Sequence, residues 1–404
     1  MPVTSAHYKW IVLAVGMFAQ ASTSTFFQGL GSIGPAIRAE EGLTLGQLGL
    51  LLGAPMAGFV VTLLAWGAAT DRFGERAVMT VGLAAAAGFL LLTSYVSGLW
   101  PLCVCLGLAG AAGASVNAAS GRAVLRWFAR HRRGFAMGLR QTSVPLGAAT
   151  SAVLLPTLLA RDGMGLGMRA LAAICVAGSV ASWLWVREPP TPAADPLTVP
   201  AIETPEQRRV RRRSFRDVVT AGTALVICQT VFVSFVVEML HGHRGMSLRD
   251  AGLVFAAAQV CGAAARIGVG VWSDRTPDRL APLRVMSFAM AAGAVGLALA
   301  IDGPLTVLVP LSVVVGTCVI CWNGLAFTAA GELAVPGRTG TALGLQSTAN
   351  YFMASITPFV MGSFIATSGF ALGFGTIALP AALAGILLRR ANARLLSIER
   401  GFVA

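Results

Sequence analysis

Charged side chains are scarce in this sequence. Only 12% of the 404 residues are Asp, Glu, Lys or Arg, 56% are hydrophobic, and the mean hydropathy is +0.74. A water-soluble protein of this length would need far more charge on its surface. The scarcity of charge therefore excludes a soluble globular protein and indicates an integral membrane protein surrounded by a lipid bilayer.

The sequence also lacks the residue patterns of enzymes and metal sites. It contains no combination of nucleophile and general base, no metal-ligand cluster and no glycine-rich phosphate loop. Its seven cysteines all lie within apolar segments, where we interpret them as small packing residues. The sequence therefore predicts neither an enzyme nor a protein with a metal or other cofactor.

The alternation of apolar and polar residues that a membrane β-barrel requires is missing as well. The apolar runs are continuous instead, and about 20 apolar residues cross a bilayer core of roughly 30 Å as an α-helix. We therefore predict an all-α membrane protein. Its twelve predicted transmembrane segments lie at residues 9–34, 45–67, 77–96, 99–122, 134–158, 167–186, 217–240, 248–272, 283–301, 304–328, 338–366 and 370–388.

The net charge of +13 comes from basic residues that lie mostly on one side of this predicted topology. Since positive residues mark the cytoplasmic face, we expect that side, with both chain ends, to be cytoplasmic. This distribution argues against nucleic acid as a partner. The predominance of arginine over a single lysine points to a bacterium with a GC-rich genome, and so to a bacterial inner membrane. The basic residues on this side are Lys9, Arg72, Arg76, Arg338 and those within 126–133, 208–216, 275–284 and from 389 onward.

Residues 187–216 interrupt the series of apolar segments. This stretch is rich in proline and then in arginine, which is typical of a flexible cytoplasmic linker close to anionic lipid headgroups. The interruption divides the chain into an N-terminal bundle of six helices at 1–186 and a C-terminal bundle of six helices at 217–404, which ends in a short cytoplasmic tail.

The two halves carry the same short motif at the cytoplasmic end of an apolar segment. In both copies a glycine lies four residues before an Asp-Arg pair, and another arginine follows at the turn. A second pattern, from Gly134 to Thr142, recurs from Gly340 to Thr348. Internal repetition is typical of secondary transporters, in which two similar bundles move around a central site. We predict that the motif residues form gating loops; they are Gly67, Asp71, Arg72, Gly74 and Arg76 in the first half and Gly270, Asp274, Arg275 and Arg279 in the second.

The sequence resembles the major facilitator superfamily over essentially its whole length. The loop at 67–76 closely matches that family's Gly-x-x-x-Asp-Arg-x-Gly-x-Arg pattern, whereas the second copy has Pro277 where a glycine is expected. The resemblance implies twelve helices in two bundles of six. It also implies that the loops act as a latch between the halves and that Asp71 pairs with arginines at neighbouring helix ends.

Arg266 lies within the eighth apolar segment, roughly 12 Å from its cytoplasmic end at about 1.5 Å per residue. A charge at that depth is costly and normally faces a cavity or a partner. The residues around it are similar to the monocarboxylate and oxalate–formate branches of the superfamily, and this resemblance implies that Arg266 holds a substrate carboxylate. The alternative is an ion pair with a buried acid such as Glu238.

Arg140 is the second candidate for anion binding. Its counterpart in the repeat is the neutral Gln346, and such asymmetry is expected of a site for one particular ligand. The alternative is an arginine at a helix interface that extends toward the cytoplasm. The oxalate–formate branch has a second basic residue on the eleventh helix, which this chain lacks at depth. A dianion would therefore need Arg140; otherwise the substrate is a monoanion.

Glu238 is the one carboxylate that we place inside an apolar segment. Two interpretations stand side by side, a proton carrier and an exposed residue at the outer end of a helix. Uncharged residues on helices that line the family's cavity complete the predicted binding site; they are Gln20, Phe27, Asn117, Gln141, Gln229, Asn323, Gln346, Asn350 and Tyr351.

These features together predict a monomeric secondary transporter that moves a small organic anion, such as a carboxylate, by alternating access. In one interpretation protons are the coupling ion. One alternative is a drug–proton antiporter of the same fold, whose pattern Pro145 and Gly147 match only in part and which leaves Arg266 unexplained. Another alternative is a receptor or scaffold that binds without transport, although the gating loops argue against it.

Overall fold

The chain is almost entirely helical. The computed structural model describes residues 7–128, 130–188, 204–276, 278, 280–335 and 339–401, and these residues contain no strand. The helices of the N-terminal half are α1 (Tyr8–Phe27), α2 (Gly34–Glu41), α3 (Leu45–Thr93), α4 (Leu99–Trp127), α5 (Arg130–Gln141) and α6 (Ser143–Trp185). Those of the C-terminal half are α7 (Pro205–Glu238), α8 (Leu248–Arg275), α9 (Ala281–Ala300), α10 (Leu305–Cys321), α11 (Asn323–Glu332), α12 (Thr339–Gly375) and α13 (Ala378–Gly401).

Three of the longest helical segments contain a sharp break and correspond to two membrane crossings each. The breaks lie at Gly74 in α3, at Gly163 in α6 and at Gly369 in α12, with φ of +78°, +62° and +81°. Such left-handed backbone suits glycine because glycine has no Cβ. The described residues form nine helical segments long and apolar enough to span a membrane. Counting the three broken segments twice gives twelve crossings, which agrees with the twelve predicted.

The start of α7 lies inside the stretch that we predict to be a flexible linker. The Thr204 hydroxyl accepts a hydrogen bond from the main-chain nitrogen of Gln207, and the side-chain oxygen of Gln207 accepts one from the main-chain nitrogen of Thr204. This capping box, with Pro205 in the first turn, favours a helix start. Residues 205–216 are therefore a helical extension of the seventh crossing, while 189–203 lie outside the described residues.

The crossings end at two opposite faces, which we name by their residues. The arginine-rich face carries the break at Gly74, the end of α8 and the start of α7. The opposite face carries α2, the break at Gly163 and the π-helix Met239–His243.

At the opposite face the two halves pack through glycines. A Cβ on Gly49 of α3 would lie 2.0 Å from the main-chain oxygen of Pro358 in α12, and one on Gly53 would lie 2.2 Å from that of Ser355. Neither distance leaves room for a side chain, so the absence of one lets the two backbones approach closely. This contact holds the halves together on the side of the opposite face.

Small residues nearer the arginine-rich face have open space beside them instead. A Cβ on Gly67, Gly270 or either member of the repeat-related pair Gly138 and Gly344 would meet no atom within 4 Å. The tight packing of glycines is therefore found at one end of the interface between the halves and not at these positions near the other end.

We expect Gly49→Ala to lower the stability of this conformation by about 1–3 kcal/mol, because the added methyl group overpacks the contact with Pro358. Gly344→Ala is the matched control: its methyl group meets open space, and alanine favours a helix more than glycine does. Thermal unfolding of both purified variants in detergent measures the difference. Equal unfolding midpoints would contradict the close approach at Gly49.

Candidate functional site

A cavity of about 780 Å³, including space open to solvent, lies between the two halves. α1, α3, α5 and α6 contribute to its wall from one half, and α7, α8, α11 and α12 from the other. Seven predicted binding residues line it: Phe27, Gln141, Gln229, Arg266, Asn323, Asn350 and Tyr351. Its mixed polar and apolar wall suits a small molecule that has both a polar and an apolar part.

Arg266 projects from α8 into this space and joins the two halves. Its Nε donates a hydrogen bond to the main-chain oxygen of Ile320 at 2.9 Å, and its Nη1 donates one to that of Gln141 at 2.6 Å. Gln141 belongs to the N-terminal half. Within the described part of the chain, Arg266 forms no ion pair with a carboxylate. Its charge is thus partnered only by neutral oxygens.

Arg140 is buried inside the N-terminal half and does not line the central cavity. Its Nε donates to the Ser120 hydroxyl at 2.9 Å, and its Nη2 donates to both oxygens of Asn117 at 3.1 Å. These bonds tie α5 to α4, so the side chain does not extend toward the arginine-rich face. Arg140 and Asn117 therefore lie behind the wall of the cavity in this conformation.

Most of the predicted uncharged residues are hydrogen-bonded to one another. Each bond joins two carboxamides, and in two of the three pairs only one member faces the cavity. The pairs are Gln20 to Gln141 at 3.2 Å, Asn323 to Gln229 at 2.8 Å and Gln346 to Asn350 at 2.9 Å. Gln20 and Gln346 thus lie behind the wall and orient the carboxamides that line it.

Several residues that line the cavity were not predicted from the sequence. Gln28, just after α1, lines the cavity, and its buried side-chain oxygen accepts no hydrogen bond from the residues that the structure describes. Gln28 could have been predicted from the sequence, because it is a polar carboxamide next to Phe27 within an apolar segment. Thr230 and Ser234 also line the cavity, but hydroxyls within apolar helices usually serve packing and so gave no signal.

Glu238 lies away from the cavity, at the opposite face. It is buried and forms an ion pair with Arg38 of the other half. The π-helix that follows brings Gly242 close, and a Cβ there would lie 2.9 Å from the carboxylate. The interpretation of Glu238 as an exposed residue is therefore wrong, and so is that of an ion pair between Glu238 and Arg266.

The sequence profile of the Major Facilitator Superfamily matches residues 16–358. The chain belongs to the Major Facilitator Superfamily. It is a multi-pass membrane transporter, as members of this family are.

Two relatives of this superfamily member and one solved structure show how far the likeness reaches. An uncharacterised MFS-type transporter of Mycobacterium tuberculosis is 35% identical over 91% of this chain and 82% of its own length. The 4-hydroxybenzoate transporter of Pseudomonas putida is 26% identical over 78% and 77%. The crystal structure of a bacterial homolog of the human lysosomal transporter Spinster, inward-facing and unoccupied, has a TM-score of 0.77 at 15% identity and covers 97% of this chain and 98% of its own. The structural likeness establishes the fold alone.

The first copy of the superfamily motif joins α3 to α4. Asp71 forms an ion pair with Arg122 at 3.2 Å, although 75% of its side chain is exposed. Glu75, which the prediction left out, is buried and lies 3.1 Å from Arg126 and 3.6 Å from Arg122. The buried acid of this loop is therefore Glu75 rather than Asp71.

The neighbouring motif residues shape the same turn. Gly74 supplies the left-handed backbone, and a Cβ on it would lie 2.5 Å from the carboxylate of Glu188. The guanidinium of Arg76 lies over the ring of Trp183 at 4.0 Å, and that of Arg72 lies 5.2 Å from the ring of its neighbour Phe73. These contacts lie within the N-terminal half and the first residues that follow it.

The second copy has a different arrangement. Asp274 and Arg275 are exposed, Gly270 has open space beside it, and Arg279 lies outside the described residues. Asp278 stands at the repeat position of Glu75; it pairs with Arg284 at 3.3 Å and accepts a hydrogen bond from Asn392 at 2.6 Å. Each half therefore holds an acid one position before the last arginine of the motif.

We expect Glu75→Gln to destabilise the protein by about 2–3 kcal/mol, somewhat less than a fully buried ion pair, because Arg122 and Arg126 are partly exposed. Asp71→Asn, four residues away, should change stability by less than about 1 kcal/mol, since surface ion pairs contribute little. Thermal unfolding in detergent compares the two. A larger loss in Asp71→Asn would show that the exposed pair, not Glu75, holds the loop.

Proposed function

We propose that this transporter moves a small organic anion, a carboxylate, by alternating access. The observation that supports this most is Arg266, which lines the central cavity while its two measured partners are neutral main-chain oxygens. A guanidinium is permanently charged and can hold a carboxylate through two parallel hydrogen bonds. Arg266 has no counterion among the residues that the structure describes, and such a charge at depth in a membrane protein favours an anionic ligand.

A monoanion fits the cavity better than a dianion. Arg140 would have been the second cation for a dianion, but its guanidinium bonds to Asn117 and Ser120 behind the wall. Among the residues described as lining the cavity, Arg266 is the one cation, and none is an acid. This composition also argues against a cationic drug as cargo, because Arg266 would repel it.

Substrate binding would act on the contact between the halves. The bond from Arg266 to the Gln141 oxygen joins α8 to α5 across the cavity. In the bond to Gln141 only the donor is charged, whereas a carboxylate brings a second charge and can accept two parallel hydrogen bonds. An incoming carboxylate therefore competes well for this guanidinium. Occupation of Arg266 by substrate thus releases one connection between the two halves.

We assign proton coupling to Glu238. Its ion pair with Arg38 joins α7 to α2 of the other half at the opposite face. Uptake of a proton by Glu238 removes the charge to which Arg38 is attracted, and this weakens the contact between the halves there. Since positive residues mark the cytoplasm, we infer that the opposite face is the outer face and that the packed glycines close it. The conformation is then inward-facing, in a bacterial inner membrane.

We expect Arg266→Ala to reduce uptake of labelled monocarboxylates, tested with acetate, lactate and benzoate in proteoliposomes, by at least about tenfold, because a charged hydrogen bond contributes about 1.5–3 kcal/mol. Arg266→Lys should restore part of the activity, since it keeps the charge but not the planar fork. The matched control is Arg249→Ala, an exposed arginine on the same helix. Unchanged uptake in Arg266→Ala would sink the proposed role.

We expect Glu238→Gln to abolish accumulation driven by a pH gradient while exchange of substrate across the membrane continues, because the variant cannot take up the proton but keeps the cavity. Uptake with and without an imposed gradient, together with counterflow, separates the two effects. Asp302→Asn is the control, since Asp302 is an exposed acid at the same face. If gradient-driven uptake persists in Glu238→Gln, the proton is carried elsewhere or not at all.

A further inference from the structure

Three aromatic side chains form a connected group at the boundary between the two halves. The ring centroid of Phe59 in α3 lies 4.0 Å from that of Tyr351 in α12 and 5.4 Å from that of Phe27 in α1. Phe59 is buried, whereas Phe27 and Tyr351 line the central cavity. Phe59 thereby fixes the orientation of two rings that reach the ligand space from different halves.

This wall suits a planar aromatic ligand. Aromatic rings attract one another in offset or edge-to-face arrangements, beyond the effect of the area they bury. Phe59 contacts each of the two rings on one side, and because both rings line the cavity, another part of each faces the ligand. Met56 lines the same space, and its polarisable sulfur also interacts favourably with aromatic rings.

The aromatic wall and the cation belong to the same site. Tyr351 and Arg266 both line the central cavity. A small molecule with an anionic end and a flat apolar body can therefore contact both at once. A small inorganic anion would use Arg266 and leave the aromatic side chains without a partner.

We propose that the substrate is an aromatic monocarboxylate, whose carboxylate binds Arg266 while its ring lies against Phe27 and Tyr351. This inference rests on the proposed transport of an organic anion and narrows its substrate class.

The test compares acids of equal charge on the purified full-length protein. Benzoate and cyclohexanecarboxylate are similar in size, and cyclohexanecarboxylate is the more apolar, so burial of apolar area alone would favour it. We expect benzoate to bind about two- to tenfold more tightly, the factor that a specific aromatic contact contributes, and acetate to bind more weakly than both. Dissociation constants come from calorimetry or from ligand-induced thermal stabilisation.

Substitutions in the aromatic wall test which side chains cause the preference for benzoate. In Tyr351→Leu and in Phe27→Leu the ratio of the two dissociation constants should fall toward one, while Tyr351→Phe should keep it. Phe352→Leu is the matched control, because Phe352 is the next residue on α12 and is 52% exposed, away from the cavity. A preference that survives in both leucine variants would overturn the assignment of the ring to this wall.

The outcomes distinguish this inference from the proposed function. If cyclohexanecarboxylate binds as tightly as benzoate, and Arg266→Ala abolishes binding of both, the substrate class is wrong while an anion site at Arg266 stands. If no acid binds, or if binding does not depend on Arg266, the proposed function fails and the aromatic inference fails with it. The comparison of benzoate with cyclohexanecarboxylate on the native protein tests the substrate class even where a variant does not fold.

Discussion

A permanent charge within a membrane must find a partner, and this requirement determines how the central cavity is built. Arg140 meets it inside its own half, through Asn117 and Ser120. Arg266 meets it only partly, through neutral oxygens of Ile320 and Gln141. Because Gln141 belongs to the other half, the incomplete partnership of Arg266 is also a contact between the halves. The same side chain can therefore bind an anion and, by doing so, change the contact between the two bundles.

The repeat accounts for the framework, and departures from it mark the chemistry. Gly163 and Gly369 stand at equivalent places in the repeat, and the breaks there let α6 and α12 turn back across the membrane. Glu75 and Asp278 stand at equivalent places in the two motif loops and both pair with arginines. Arg266 has no such counterpart: the corresponding stretch of the first half is apolar around Leu63 and Leu64. The residues that position the two bundles are thus kept in both halves, whereas Arg266, which is proposed to bind the ligand, has no equivalent in the first half.

How much the sequence could predict depended on the range of the interactions involved. Continuous apolar runs, arginine distribution and the repeated motif are local patterns, and they predicted the helices and the division into crossings. The position of Arg266 deep within an apolar run is also a local pattern, and it predicted that Arg266 lies at a cavity. Arg38 as the partner of Glu238 could not be predicted, because that pair joins residues from different halves. Met56 and Phe327 line the cavity, yet nothing in their local sequence separates them from residues that only pack.

Among the residues that the structure describes, two contacts between the halves involve charged groups, and they lie at different depths. The bond from Arg266 to Gln141 crosses the cavity, and the pair of Arg38 with Glu238 crosses the interface at the opposite face. In the proposed transport cycle, a carboxylate would weaken the first contact by competing for its donor, and a proton would weaken the second by neutralising its acceptor. The glycine packing at Gly49 and Gly53 has no charge and responds to neither. Opening of the opposite face would therefore have to overcome that packing, and in the proposed cycle the two ligands together would remove the charged contacts that otherwise add to it.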